Sequence, residues 1–544
     1  MLRLVLLFCA TALNAAQPWS VDDLWTWREV TDVRIRPDGS SAAWVEASSI
    51  RGTNNTCTTL WLASIPTAKP QRLDGDACNQ SHPRWSPDGR SLAYLAGGQI
   101  WIRAFAGERP RQITHAASPP LAFAWSPDAT ALAYTAHTFL YVVPLSGGAP
   151  VPVPTGKLNV LGEPAWMPDG KSILISAAEP GGDAEIYSVA LDSGSAHQIT
   201  HHAGPDFDPL PAPDGSRIAW ISRDARAQSY VTAKLNVANP DSSRGKILAG
   251  ALDRDVTHIQ WSSDSRTVYF LAEDRGESRV WSARADGSVR QATTAGERLV
   301  DFSLADNGLA AAVRPSGEIL TFPVDVPGAP ALLASPNAPL LAARNTSAPE
   351  EIHFPSAGRA IQGWITRPPG FDRARRYPLV LDVRDAPRRM CGLGFDLRAQ
   401  ILAARGFVVL CANPRGTPGF GEEFGNLLRT RDPGDDFDDL MRGADYLIAQ
   451  GFIDPARVHI IGGPLAAWAI GQTDRFRSAV AVDPPAVNGT DPERLHTPTL
   501  VIDTGTGKGA YDMYSALRAR RIDTELLRVW GPQQLEAILS WLAR

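Results

Sequence analysis

The sequence predicts a chain of two unlike parts, an N-terminal all-β propeller of seven blades and a C-terminal α/β domain built on a parallel sheet. Three observations carry this. A turn motif recurs over the first two-thirds, with its aspartates at Asp38, Asp88, Asp128, Asp169, Asp214, Asp264 and Asp306. Neighbouring copies stand 40 to 50 residues apart, the length of a four-stranded blade. After Asn345 the pattern becomes apolar strands alternating with helical stretches, which indicates a parallel sheet covered on both faces.

Turn chemistry explains the motif. Its fullest copies read Trp85-Ser86-Pro87-Asp88-Gly89 and Trp166-Met167-Pro168-Asp169-Gly170. Pro presets φ at the first central position of a tight turn, Asp caps the turn, and Gly ends it. An alternating strand follows each turn, as in Ser91-Leu92-Ala93-Tyr94-Leu95. The last copy, Leu304-Ala305-Asp306-Asn307-Gly308, is degraded, and an eighth blade without the motif stays open. The repeated tryptophans are expected to pack blade against blade. The motif resembles the propeller repeats of TolB and of the prolyl oligopeptidase family.

Composition bounds the function. The 544 residues are 44% hydrophobic and 20% charged, an ordinary globular balance. Fifty-three Lys and Arg against 58 Asp and Glu give a net charge of −5, which offers nothing to nucleic acid. Residues 1–16 read as a signal peptide: Arg3, an apolar run over 4–13, then Ala15 and Ala16 for cleavage. No later apolar stretch is long enough to span a membrane, so a secreted or periplasmic protein is expected. Outside the signal, four cysteines remain: Cys57, Cys78, Cys391 and Cys411. Two disulfides between the pairs close in sequence are the natural expectation, with four buried thiols as the alternative.

The propeller is assigned to residues 17–340 and the α/β domain to 341–544. In the latter, Tyr377-Pro378-Leu379-Val380-Leu381-Asp382 and Phe407-Val408-Val409-Leu410-Cys411 read as buried strands. Asp435 to Gln450 reads as an amphipathic helix with acids at its N-terminus, where the helix dipole favours them. Val458-His459-Ile460-Ile461-Gly462-Gly463 is a strand running into a turn. From Gly363 to Pro484 the chain resembles the catalytic domain of the prolyl oligopeptidase family of serine peptidases, closest to its acylaminoacyl-peptidase and dipeptidyl-aminopeptidase branches. The segments that carry this are Asn413-Pro414-Arg415-Gly416, Gly419-Phe420-Gly421-Glu422-Glu423-Phe424, Ile453-Asp454-Pro455-Ala456-Arg457-Val458 and Gln472-Thr473-Asp474-Arg475-Phe476. The resemblance implies an α/β-hydrolase fold and a Ser, Asp, His triad, in that chain order.

None of the three stations is filled. The Ser should follow Gly462-Gly463, but the chain continues Pro464-Leu465-Ala466-Ala467, and no Ser occurs between Ser356 and Ser478. One oxyanion donor should be the backbone N–H just after the nucleophile, and Pro464 near that place has none. The loop that should supply the other reads Arg384-Asp385-Ala386-Pro387, with a carboxylate where an oxyanion would form. Losing one such donor costs roughly 2.7–4 kcal/mol. After Thr499-Leu500-Val501-Ile502-Asp503 the acid loop is shortened, and after Thr524-Glu525-Leu526-Leu527-Arg528-Val529 the chain enters its last helix with no His.

The expectation is therefore an exported pseudopeptidase without catalytic residues, cofactor or metal, binding a peptide or protein between its two parts. By resemblance Asn413, Arg415 and Phe420 are the candidate binding residues. Two rivals are kept: an active hydrolase with a displaced nucleophile such as Ser478, needing a His such as His459 or His496 beside it, and a propeller that is purely a binding module. Asp435, Asp436, Asp438 and Asp439 are read as helix-capping acids rather than metal ligands. Gly505, Gly507 and Gly509 lack the context of a phosphate cradle, with no Ser or Thr after Lys508.

Overall fold

The computed structural model describes residues 16–544 apart from 54, 67–68, 74–76, 108, 227, 229, 294–297, 385–388, 429–432, 486–493 and 506. The predicted export segment, save Ala16, and Asp385 to Pro387 of the oxyanion loop lie outside the described residues. Seven four-stranded antiparallel sheets follow one another along the chain, and an eight-stranded sheet closes it. The first part is thus a seven-bladed propeller and the second an α/β-hydrolase domain.

Each blade begins with its inner strand, from Glu29–Ile35 in the first to Asp301–Leu304 in the last. The motif tryptophans sit at the ends of inner strands and staple each blade to the one before. Trp85 donates its indole N–H to the Arg34 carbonyl at 3.0 Å, Trp125 to Arg84 at 2.9 Å, Trp166 to Ala124 at 3.3 Å and Trp261 to Leu210 at 3.1 Å. The turn aspartates cap as expected: Asp88 accepts from Ser86 Oγ and from Arg90 N–H. All four strands of every blade are consecutive in sequence, so the ring closes without strand exchange. Val33 N–H donates to Asp301 at 2.8 Å and Ile35 N–H to Ser303 Oγ at 3.1 Å, over a shared apolar cluster of Val30, Trp44 and Val313.

In the second part we number the strands β1 (Glu350–Ser356), β2 (Arg359–Thr366), β3 (Tyr377–Asp382), β4 (Val408–Asn413), β5 (Ile453–Gly462), β6 (Ser478–Val482), β7 (Thr499–Asp503) and β8 (Thr524–Arg528). Their order is β1-β2-β4-β3-β5-β6-β7-β8, parallel from β4 through β8. The helices used below are α1 (Leu397–Ala404), α2 (Asp435–Ala449), α3 (Pro464–Ala469), α4 (Lys508–Ala519) and α5 (Gly531–Leu542). Alternation along β3 splits the core in two. Leu379 and Leu381 face α2, α3 and α4, whereas Val380 faces α1 and α5.

The N-terminal stretch departs from its assigned part. Trp19, 1% exposed, is buried in the α1–α5 core and donates to Thr346 Oγ1 at 3.2 Å. Asp23 forms a two-pronged ion pair with Arg344. Asp22 and Trp25 meet Arg51 of the first blade, so residues 17–28 straddle the junction of the two parts, where Trp19 to Arg28 are expected to pack, and the first blade's inner strand starts at Glu29.

Candidate active site

In an open parallel sheet the chemistry belongs at the carboxyl edge of the strands, where loops converge. Here the C-terminal ends of β3, β5, β6, β7 and β8 define that edge. The nucleophile station is the turn from β5 into α3. Gly463 occupies it with φ −94°, and Pro464 opens the helix. The turn is tightly packed: a Cβ on Gly462 would stand 2.9 Å from Val383 Cβ and 3.1 Å from Ala466 Cβ. No side chain of this turn bears a hydroxyl, thiol or amine.

The other stations are occupied by structural groups. Asp503, at the end of β7, accepts from the N–H groups of Gly505 at 2.8 Å and Gly507 at 3.0 Å. It caps its own shortened loop. Asp483, beyond β6, accepts from Thr504 N–H at 2.7 Å. Where a His loop would follow β8, Trp530 donates its indole N–H to the Thr504 carbonyl at 2.6 Å, tying the two shortened loops together. Beyond β3, Arg384 spans Asp382 at 2.8 Å and Asp396 at 2.5 Å, and Arg398 also pairs with Asp382. Burial works to raise the Asp396 carboxyl, but Arg384, Arg398 and the N–H of Ala399 overcome it and hold it at about 2.

A buried Ser–His contact lies at the opposite edge. His459 Nδ1 is 2.9 Å from Ser478 Oγ, and the two residues are register partners on β5 and β6. Ser478 is the first residue of β6, so the pair stands at the amino edge. Burial, then the charges of Arg477 and Arg457, depress the imidazole from 6.5 to about 4. The ring packs edge-on against Phe407, and no carboxylate among the described residues bonds to it. His496 is exposed on the segment before β7, and Asp503 stands at that strand's far end.

The three resemblance-derived residues hold the domain together. Asn413 is fully buried; its amide donates to Gln362 Oε1 and to the Cys391 carbonyl, both at 2.8 Å, and its oxygen accepts from Cys391 N–H at 2.7 Å. Arg415 grips Asp439 through Nε and a terminal nitrogen at 2.9 Å each, and Asp439 also accepts from Ser356 Oγ. Asp435 adds an ion pair to Arg415 at 3.2 Å. Asp436 accepts from the N–H groups of Gly434 and Phe437 at the start of α2, whereas Asp435 and Asp439, expected as helix caps, pin the loop through Arg415. Phe420 packs on Phe424, with centroids 4.9 Å apart. Disulfides join Cys57 to Cys78 and Cys391 to Cys411, the latter bracing the loop beyond β3 against β4.

The glycine-rich segment after Arg415 is the seam between the two parts. A side chain on Gly421 or Gly425 would collide with Asp253 or Tyr230 of the propeller. Glu422 accepts from Thr232 Oγ1 at 2.8 Å, and Arg275 N–H donates to the Gly419 carbonyl at 3.0 Å. A cavity of about 640 Å³ opens on the hydrolase-facing side of the propeller's inner strands. Trp27, which stacks on Phe395 of the hydrolase domain, forms part of its wall with Asp32, Arg34, His82 and His258. Arg84 crosses it, holding Asp32 of the first blade at 2.9 Å and Glu163 of the fourth at 2.7 Å. Sequence reasoning missed this group. The available signal was a charge just before the motif's aromatic position, as in Arg84-Trp85 and Arg34-Ile35.

Comparison with known proteins agrees with this architecture. The prolyl oligopeptidase family model matches residues 393–522, and the TolB beta propeller domain model matches 96–309. The chain is 26% identical to the uncharacterized peptidase YuxL of Bacillus subtilis, covering 85% of this chain and 81% of that one. The 576 aligned positions outnumber the chain's own 544 residues, so the alignment opens gaps in it. Dipeptidyl-peptidase 5 of Porphyromonas gingivalis is 27% identical, over 61% of this chain and 52% of that one. The acylaminoacyl peptidase of Pyrococcus horikoshii superposes with a TM-score of 0.82 over 97% of both chains at 17% identity, which shows the common fold. A puromycin-hydrolyzing peptidase of Mycobacterium tuberculosis superposes with a TM-score of 0.74 over 97% of both at 16% identity. The C-terminal part is thus a prolyl oligopeptidase family domain and the N-terminal part a TolB-like propeller, joined in one chain that resembles the family's peptidases in sequence and fold.

Proposed function

We propose that this chain is an exported, catalytically silent homologue of the prolyl oligopeptidase-family serine peptidases, one that holds a peptide or protein segment without cleaving it. The carrying observation is the β5–α3 turn, where Gly463 and Pro464 stand and no nucleophile does. Asp503 caps the shortened loop after β7, and Trp530 ties that loop to the one after β8, where no His occurs. The triad acts as a unit, so a site lacking all three retains only the weak effect of binding and polarity. The relatives named as peptidases bear on descent; the chemistry of this chain rests on its own side chains.

The cavity at the propeller's inner strands, walled on one side by Trp27, is the proposed ligand site. Its size suits a short peptide segment, and its lining is polar, with Arg34 and Arg84 paired to Asp32 and Asp301. The test uses the purified chain lacking residues 1–16, with dipeptidyl, acyl-alanyl and prolyl chromogenic substrates and a fluorophosphonate probe. Turnover at the buffer rate and no labelling are expected. Turnover that survives Ser478→Ala and replacement of the cysteines would overturn the proposal.

One observation favours a second reading, an active hydrolase using Ser478 with His459. The contact is short, and a cavity of about 560 Å³ adjoins it. Against it stand the burial of both side chains, an imidazole with no acid to orient it, and strand N–H groups already spent in the sheet, such as Ala479 N–H on the Pro498 carbonyl. Hydrolysis abolished by Ser478→Ala would establish this second reading in place of the first.

A further inference from the structure

We infer that the propeller carries a binding site for one divalent transition-metal ion of the zinc class, formed by Glu185, His202 and Asp206 where the fourth blade meets the fifth. Glu185 lies on the fourth blade's third strand, Ala184–Ala190, and Asp206 opens the fifth blade's inner strand, Asp206–Pro211. His202 lies on the connection between them. One ligand atom from each falls within 4.8 Å of the others.

The state of Asp206 argues for a missing cation. Its carboxylate is wholly buried and neither oxygen accepts a well-aligned hydrogen bond; its polar neighbours are the Thr200 hydroxyl, the Glu185 carboxylate and His202. Its nearest positive-capable neighbour is His202, with Nδ1 3.3 Å from Oδ2. The Nε2 atom of His202 is also without a hydrogen bond. Glu185, 9% exposed, receives Thr200 Oγ1 at 2.5 Å on Oε2. Two carboxylates thus stand together below the surface with no arginine or lysine paired to either among the described residues.

Two other buried acids of this propeller have an arginine beside them. Asp32 has Arg34 and Arg84, and Asp301 accepts from Val33 N–H with Arg34 at 3.6 Å. Burying an unpaired carboxylate is costly, and the cost is met by protonation, by a paired cation or by a metal ion. A divalent ion between two carboxylates and one neutral imidazole gives an uncharged site. The mixed oxygen and nitrogen donor set suits zinc better than calcium or magnesium, which prefer oxygen alone. The half-exposed His202, on a connecting segment, is the ligand free to close on the ion.

The site lies on the propeller face that meets the hydrolase domain. His202 Nε2 stands 3.9 Å from Asp224, Asp224 pairs with Arg226, and Arg226 reaches Glu422 of the seam at 3.1 Å. An ion there would pin two blades beside the domain contact.

The full chain without residues 1–16, stripped with EDTA and dialysed, is titrated with zinc chloride by calorimetry, and bound metal is counted after desalting. One zinc per chain and a raised melting temperature are expected. His202→Ala, a half-exposed change expected to fold, should weaken binding at least ten-fold with the circular dichroism spectrum unchanged. Glu185→Gln should act likewise, and His201→Ala, at the exposed neighbour, should bind as the parent does. Cobalt in place of zinc should give visible absorption bands that His202→Ala removes. No stoichiometric zinc, equal binding by His202→Ala, or calcium binding in preference to zinc would each overturn the inference.

Discussion

The two edges of the hydrolase sheet make an instructive pair. At the amino edge a serine and a histidine meet at 2.9 Å, buried on adjacent strands. At the carboxyl edge, where the family's chemistry belongs, the chain places Gly463-Pro464, a loop-capping Asp503 and the indole of Trp530. The residue types of catalysis are present at the edge that lacks its geometry. Catalysis needs the nucleophile on an exposed turn, an acid behind the base, and N–H donors free to meet an oxyanion. Flat strands at the amino edge supply none of these, because their N–H groups are committed to the ladder. A short Ser–His distance is therefore a packing fact until the surrounding donors are counted.

Four experiments would break or sharpen that contrast. The largest effect is expected for Arg415→Ala in the loop that resembles the family's binding segment. Removing one partner of this buried pair leaves Asp439 uncompensated, so a loss of about 3–5 kcal/mol in urea unfolding is expected. A variant of parental stability that has lost peptide binding would instead return Arg415 to the ligand site.

Next comes the pH dependence of the amino edge. His459 titrates near 4 in the fold and near 6.5 when unfolded, its folded value lowered first by burial and then by Arg477 and Arg457. As pH falls from 6.5 to 4 the unfolded chain takes up a proton that the folded chain refuses. Stability is therefore complete above 6.5, falls through that window by about 3 kcal/mol, and levels off below it. His459→Leu should flatten this part of a melting-temperature profile; an unchanged slope would show the imidazole to be solvated.

Ser478→Ala is expected to cost about 1 kcal/mol, the ordinary value of one buried hydrogen bond, and to leave hydrolysis at the buffer rate. A fall in any measured turnover would move the active site to the amino edge. The smallest effect belongs to Pro464→Ser, which puts a hydroxyl at the elbow. With no His or carboxylate shown bonded to this turn among the described residues, turnover should stay at background in the chromogenic assay. Activity in this variant would mean that a base had been overlooked.

Much of the propeller was legible because its signals are local. Pro-Asp-Gly specifies a turn by its own φ preference and side-chain cap, and seven repeats of it specify seven blades. The inner strands hid a feature. In five blades the register slips, with Asp32, His82, Asp208, His258 and Gly162 at positive φ. Only glycine advertises that conformation in a sequence, and four of the five are other residues. Asn413 and Arg415 stood out in the sequence as family-like, but their partners Gln362 and Asp439 lie 51 and 24 residues away. Contacts at that separation give these side chains their partners inside the domain.

The sequence alone determined the two-part architecture, the period of the blades, the lack of a Ser between Ser356 and Ser478 and the lack of a His after His496. Each depends on which residue types occur within a short stretch: a proline has no N–H wherever it stands, and a segment without a serine presents none. Tertiary structure decided what lies beside what. It took Trp19 from the propeller into the α1–α5 core, set His459 opposite Ser478 through the β5–β6 register, and gathered Glu185, His202 and Asp206 from two blades and their link. Those placements follow from burial and ladder register, which are satisfied by the whole chain together and leave no mark on neighbouring letters.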